Sequence, residues 1–139
     1  MIILDTNVLS EVMRQGGSAA VANWVDRFRP GDLFTTAVNK AEILRGLAMM
    51  SKGRKRTDLI ALAEAMFSED FRGRVLSFDE RAADHYASIA TDCARAGRSI
   101  EVMDAQIAAI ARANGMSLAT RNVRHFVDCG IEVVSPWDA

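Results

Sequence analysis

The sequence predicts an α/β domain, a mostly parallel sheet of about five strands with helices on both faces. Three observations carry that expectation. Short apolar runs of strand length alternate with helical patterns along the whole chain. The first of these runs, "IIL" after the initial Met, is apolar throughout, as a strand covered on both faces is. The 139 residues, 50% hydrophobic and 25% charged, suffice for one compact domain over 1–139, and they contain no repeat, low-complexity tract or linker.

The elements follow in order. Strand one stops at the turn-type cluster Asp5-Thr6-Asn7, and a helix over 8–14, with Asn7 or Thr6 as its cap, runs to the pair Gly16-Gly17. A second helix over 18–28 places Trp24, Val25 and Phe28 on one stripe. Pro30-Gly31 makes a turn, "DLFTTAV" supplies strand two, and a helix over 39–50 carries Glu42 near its start. The basic stretch "SKGRKRTD" reads as a loop or hairpin tip before the Ala-rich helix "DLIALAEAMFSEDF". "RVLSF" is strand three, and Ser77 with Glu80 has capping-box spacing for the long helix that ends near Gly97. "IEVMDAQIAAIARANG" is a helix with Asp104 in its first turn and Gly115 as terminator, and "SLAT" and "IEVVSP" are the last strands.

Composition narrows the function. A formal net charge of −1 gives no overall attraction for polyanions, so contact with nucleic acid must come from local basic patches or bound metal. Cys93 and Cys129 form no CxxC pair, which speaks against zinc and fits a reducing compartment. The apolar start is too short for a signal sequence, and no stretch approaches the ~20 apolar residues of a membrane helix. A cytoplasmic protein without membrane contact is expected.

Sites in parallel sheets lie beyond the carboxyl ends of the strands. That rule gathers Asp5 after strand one, Thr35 and Thr36 after strand two, and Thr120-Arg121-Asn122 after strand four, with Glu42 and Asp104 facing the same crevice from helix starts. Glu42 and Asp104 each interrupt apolar surroundings, where an unpaired buried charge costs several kcal/mol. A cluster of such carboxylates calls for a cation, and hard oxygen donors suit Mg²⁺ or Mn²⁺. The chemistry implied is metal-assisted phosphodiester hydrolysis. Each residue also has a plainer role: Asp5 as a helix cap, Glu42 as an exposed helix residue, Asp104 as a partner of the helix dipole.

"ILDTNVLSE", "AEILRG", "MDAQIAAIA" and "LATRNVRHF", in this order and spacing, resemble the PIN domain of VapC- or FitB-type toxins from bacterial toxin–antitoxin systems. The resemblance runs nearly the whole chain, to the closing "IEVVSPWD". It implies a metal-dependent endoribonuclease that leaves 5′-phosphate and 3′-hydroxyl ends, with Asp5, Glu42 and Asp104 as catalytic and metal-binding residues. It further implies a homodimer and a cognate antitoxin whose C-terminal segment fills the active-site groove.

One motif departs from the pattern. Members of this group commonly carry an acid in or at the end of the motif that here reads "TRNVRHF", where this chain has Asn122 and His125. Asn122 offers an amide oxygen and His125 a phosphate hydrogen bond or a substitute ligand for Mn²⁺, so weaker metal binding than in a four-acid site is expected. Asp128 lies too far round the loop to substitute. Thr6 and Thr120 belong to the site periphery as orienting hydroxyls, and Thr36 is read the same way. Arg121, Arg124 and Arg45 are candidates for tracking the RNA backbone. Trp24 and Trp137 are expected in the core or a dimer surface, and His85 on a helix surface. The alternative reading is a weakened PIN-like domain that binds RNA or an antitoxin without cleaving. A phosphatase with an Asp nucleophile fits poorly, since the second Asp it needs is Asn7 here.

Overall fold

The computed structural model describes all residues from Met1 to Ala139. Strands β1 (Ile2–Leu4), β2 (Leu33–Thr36), β3 (Val75–Leu76), β4 (Ser117–Ala119) and β5 (Val133–Val134) form one sheet in the order β3-β2-β1-β4-β5, every neighbouring pair parallel. The six helices are α1 (Thr6–Met13), α2 (Ala19–Val25), α3 (Ala37–Ala48), α4 (Arg54–Ala65), α5 (Glu80–Arg95) and α6 (Val102–Ala113). The expected α/β architecture holds, and the sheet is parallel throughout.

The strands are apolar on both faces because each face has its own core. Side chains alternate across a strand, so Ile2 and Leu4 enter one apolar cluster with Val8, Trp24, Ile43 and Phe71, while Ile3 enters the other with Ile89, Ile107, Ile110 and Leu118. Neighbouring strands repeat the alternation: Ala119 belongs to the first cluster and Leu118 to the second. Helix α6 packs against α5 and β4 and buries an almost unbroken run, Ala105 and Ile107 to Ala111. A polar side chain at its exposed start therefore lies over a tightly fixed base.

Several local expectations change. Helix α1 begins at Thr6, and its cap is Asp5, whose Oδ1 accepts the Thr6 N–H at 2.9 Å. Helix α3 begins at Ala37, capped by Thr36. Helix α2 ends at Val25, and Phe28, in the following turn, still sets its ring 4.7 Å from that of Trp24. The basic stretch is not wholly a loop, because Arg54, Lys55 and Arg56 form the first turn of α4. Arg and Lys are good helix formers, and the loop needs only to reach Gly53. Helix α4 ends in a wider turn over Met66–Asp70 that delivers Met66, Phe67 and Phe71 to the core. Asp79, not Ser77, caps α5, its carboxylate accepting the Ala82 N–H at 2.9 Å; the helix starts two residues later than a Ser77 cap with Glu80 requires.

Candidate active site

The chain fills β1, β2 and β3 in one direction from the centre, then returns to place β4 on the other side of β1. This reversal at β1 and β4 opens a crevice at their carboxyl ends. Leu4 and Ala119 are register partners, so the next residues, Asp5 and Thr120, leave the sheet side by side. The Asp5 N–H closes the ladder on Ala119 O at 2.9 Å, and the Thr120 hydroxyl donates to Asp5 Oδ2 at 2.6 Å.

Asp5 is 5% exposed and held from several directions. Oδ1 accepts the Thr6 N–H at 2.9 Å and Asn39 Nδ2 at 2.8 Å; Oδ2 accepts Thr120 Oγ1 and, at 3.4 Å, Asn7 Nδ2. Asn39 is itself fixed: its N–H donates to Thr36 Oγ1 at 3.1 Å, and its Oδ1 accepts the Thr36 hydroxyl at 2.7 Å. The other Asn39 amide hydrogen goes to Thr6 Oγ1 at 3.0 Å, and the Thr6 hydroxyl donates a hydrogen bond to Glu42 Oε1 at 2.8 Å. Strand ends and helix starts thus orient two of the carboxylates through one continuous network.

Asp5, Glu42 and Asp104 line one cavity of about 450 Å³ together with Thr6, Arg121 and Asn122. Burial pushes the Glu42 carboxyl above its ordinary value, and the charges of Asp5 and Asp104 add to this against the lowering effect of the Thr6 hydroxyl. Asp104 is likewise pushed up by burial and then by Asp5, opposed by His125, whose Nδ1 lies 3.3 Å from Asp104 Oδ2. Burial first, and repulsion after it, disfavour the charged carboxyls, and a cation placed among them would offset both. The donors are all hard oxygens, as Mg²⁺ or Mn²⁺ prefers. As placed, no three His, Cys, Asp or Glu side chains stand close enough together to hold a metal ion.

Thr120 lies beneath the cavity, fully buried and bonded to Asp5, and His125 is an exposed neighbour that reaches the site through Asp104. Arg121 is at the cavity wall, its N–H donating to Asn7 Oδ1 at 2.9 Å. Arg45 and Arg124 are exposed and line neither this cavity nor the groove beside it. Asn39 and Trp137 went unread in the sequence as site residues. The Thr36-x-x-Asn39 spacing of a helix cap was the available signal for Asn39. Nothing local marks Trp137, which reaches the cavity only because β5 lies beside β4.

A second, larger groove of about 1040 Å³ runs between α1, α3 and α4. Its floor is apolar, with Met13, Ile43, Leu47, Leu59 and Leu62, and it shares Thr6, Ser10 and Glu42 with the acidic cavity.

A five-stranded parallel sheet that gathers carboxylates at its topological reversal defines a class of acidic crevice sites whose hard oxygen donors suit a divalent cation. Residues 2–129 match the family described as PIN domain, and the chain belongs to that family. It is similar to the plasmid stability protein StbB of Pseudomonas syringae pv. tomato, 39% identical over all of both chains. It is also similar to a VapC ribonuclease of Sinorhizobium fredii, 36% identical over 99% of each, and to toxin FitB of Neisseria gonorrhoeae, 35% identical over 99% of each. The crystal structure of FitAcB from Neisseria gonorrhoeae superposes with a TM-score of 0.93 at 34% identity, covering 100% of both chains.

Proposed function

We propose that this chain is the toxin of a toxin–antitoxin pair, an endoribonuclease that hydrolyses RNA phosphodiester bonds with a divalent cation to give 5′-phosphate and 3′-hydroxyl ends. The observation that carries the reading is the convergence of Asp5, Glu42 and Asp104 on one cavity, with Asp5 and Glu42 tied into the Asn39–Thr6 network. The names of the FitB and VapC relatives support it.

Asp5, Glu42 and Asp104 hold Mg²⁺ or Mn²⁺ in this reading, together with retained waters. The bound cation supplies neutralisation of charge on the phosphate and a lowered pKa for an attacking water. The chain's own side chains do the rest. Asn39 and Thr120 fix the Asp5 carboxylate, Thr6 orients Glu42, and the 3.4 Å contact from Asn7 is the Asp5 bond most easily given up to a cation. His125 and Asn122 stand at the phosphate's approach, and Arg121 offsets the acidic wall.

The apolar groove continues into the acidic cavity through Thr6, Ser10 and Glu42. It suits an amphipathic antitoxin segment, which from there covers the carboxylates. Val102, Met103, Val123 and Val127 are exposed apolar side chains suited to a second copy in a homodimer.

The test is incubation of antitoxin-free protein with total bacterial RNA in Mn²⁺, Mg²⁺ or chelator, beside Asp5→Ala. New 5′-phosphate ends that vanish with chelator and in the variant are expected. Equal RNA patterns for folded wild type and variant would favour the binding-only alternative.

A further inference from the structure

Arg121 and Trp137 leave the sheet side by side. The ladder between β4 and β5 runs on to the Thr120 N–H, which donates to Val134 O at 2.9 Å, so Arg121 follows the end of β4. Trp137 lies in the turn after β5, which the Asp138 N–H closes on Ser135 O at 3.1 Å. The half-buried indole packs on the core cluster that holds Trp24, and the Arg121 guanidinium lies over its ring, 5.0 Å from the centroid.

Arg121 is the only basic side chain that lines the acidic cavity, against the carboxylates of Asp5, Glu11, Glu42 and Asp104. Glu11 is already engaged, its Oε1 accepting the Ser18 N–H at 2.6 Å and Arg14 Nη2 at 3.0 Å. Asp5, Glu42 and Asp104 meet no Lys or Arg, although a guanidinium is a strong, bidentate partner for a carboxylate. Arg121 starts from close by. Its main-chain N–H donates to Asn7 Oδ1 at 2.9 Å, and Asn7 Nδ2 is 3.4 Å from Asp5 Oδ2. The guanidinium nevertheless turns away from the acids and onto the indole, where a cation–π contact is worth about as much as an exposed ion pair.

We propose that Trp137 is a positioning residue: its ring holds the Arg121 guanidinium at the cavity wall, off Asp5, Glu42 and Asp104, and so keeps these carboxylates open to a divalent cation. Without the ring, Arg121 swings onto the acids and competes with the ion. The proposal rests on the metal reading of the carboxylates for what Arg121 would block, and the position of the guanidinium itself is testable without metal.

The first arm is NMR of the arginine Nε–Hε groups in ¹⁵N-labelled, metal-free, antitoxin-free protein, with the Arg121 signal assigned by its absence in Arg121→Lys. The ring current of Trp137 displaces the Arg121 Hε upfield in the wild type, and Trp137→Leu moves it downfield, as pairing with a carboxylate does. The second arm is Mn²⁺ binding without RNA, read by electron paramagnetic resonance of the free ion. Trp137→Leu weakens Mn²⁺ binding about 2- to 30-fold, the worth of one cation–π contact. Arg121→Ala binds at least as tightly as the wild type, and Trp137→Leu with Arg121→Ala follows Arg121→Ala. Trp137→Phe, whose ring is the weaker cation partner, falls between wild type and Trp137→Leu, and circular dichroism melts confirm that each variant folds.

An Arg121 signal that is the same in wild type and Trp137→Leu overturns the proposal. So does a double variant that keeps the full Mn²⁺ loss of Trp137→Leu, because Trp137 then serves packing alone. A wild type that binds no Mn²⁺ counts against the metal centre, and the Arg121 signal still decides where the guanidinium lies.

Discussion

Thr120 stands beside Asp5 because Leu4 and Ala119 are paired in register across β1 and β4, and its hydroxyl donates to Asp5 Oδ2 at 2.6 Å. Thr120→Val keeps the shape and removes the donor. A buried carboxylate left short of a partner costs roughly 1–3 kcal/mol, so the melting temperature falls. RNA cleavage falls about 10- to 100-fold, as for other groups that orient a metal ligand. Melting curves and initial rates check this, and an unchanged rate would remove Thr120 from the site.

Asn39 is the hub of the network, satisfying Asp5, Thr6 and Thr36 at once. Asn39→Asp swaps its two amide donors for a charge beside Asp5. The variant is expected to be less stable than wild type at pH 7 and to recover part of the loss on acidification, when the new carboxyl is protonated. Melting temperatures at pH 7 and pH 5 decide it, and a loss independent of pH would point to packing alone.

Glu42 and Asp104 carry the cost of the site in the metal-free chain. Both carboxyls are raised by burial, so the folded state binds their protons more tightly than the unfolded state does. The resulting stability is fully present below the unfolded values, 4.5 and 3.8, and is lost as pH rises through the raised folded values. Above them the charged forms bear the cost of burial and the repulsion of the neighbouring acids. Glu42→Gln therefore raises the metal-free melting temperature by a few degrees at pH 7, and its advantage shrinks toward pH 4. An advantage that does not change with pH would contradict this origin.

Burial, with the neighbouring Cys93 adding to it, pushes the Cys129 thiol up to about 11. Its thiolate fraction at pH 8 is then about one in a thousand, and the side chain is 1% exposed. Alkylation by iodoacetamide at pH 8 should label Cys129 only after unfolding, read by mass spectrometry. Fast labelling of the native chain would show that the loop from Asn122 to Asp128 opens.

The parts of the site that sit on strand and helix patterns were legible in the sequence. Asp5 ends an apolar run, and Glu42 and Asp104 interrupt apolar helical faces, so each carried a local signal. Trp137 carried none, because its place depends on β5 pairing with β4, a contact between distant residues that no local period encodes. The α5 cap was misread for a related reason: Ser77 has the right spacing to Glu80, but β3 and its exit turn carry the chain on to Asp79 before the helix begins. The basic stretch before α4 looked like a loop by charge, yet helix propensity and the apolar side chains of Leu59, Ile60 and Ala63 draw it into α4.

The most direct measurement is the rate of RNA cleavage as a function of Mn²⁺ for wild type and Asp104→Asn, with 5′-phosphate ends counted. A saturable Mn²⁺ dependence in the wild type, abolished by chelator and shifted at least tenfold or lost in the variant, is the result predicted. Cleavage that persists in chelator, or one Mn²⁺ curve shared by both proteins, would contradict a carboxylate-held metal centre.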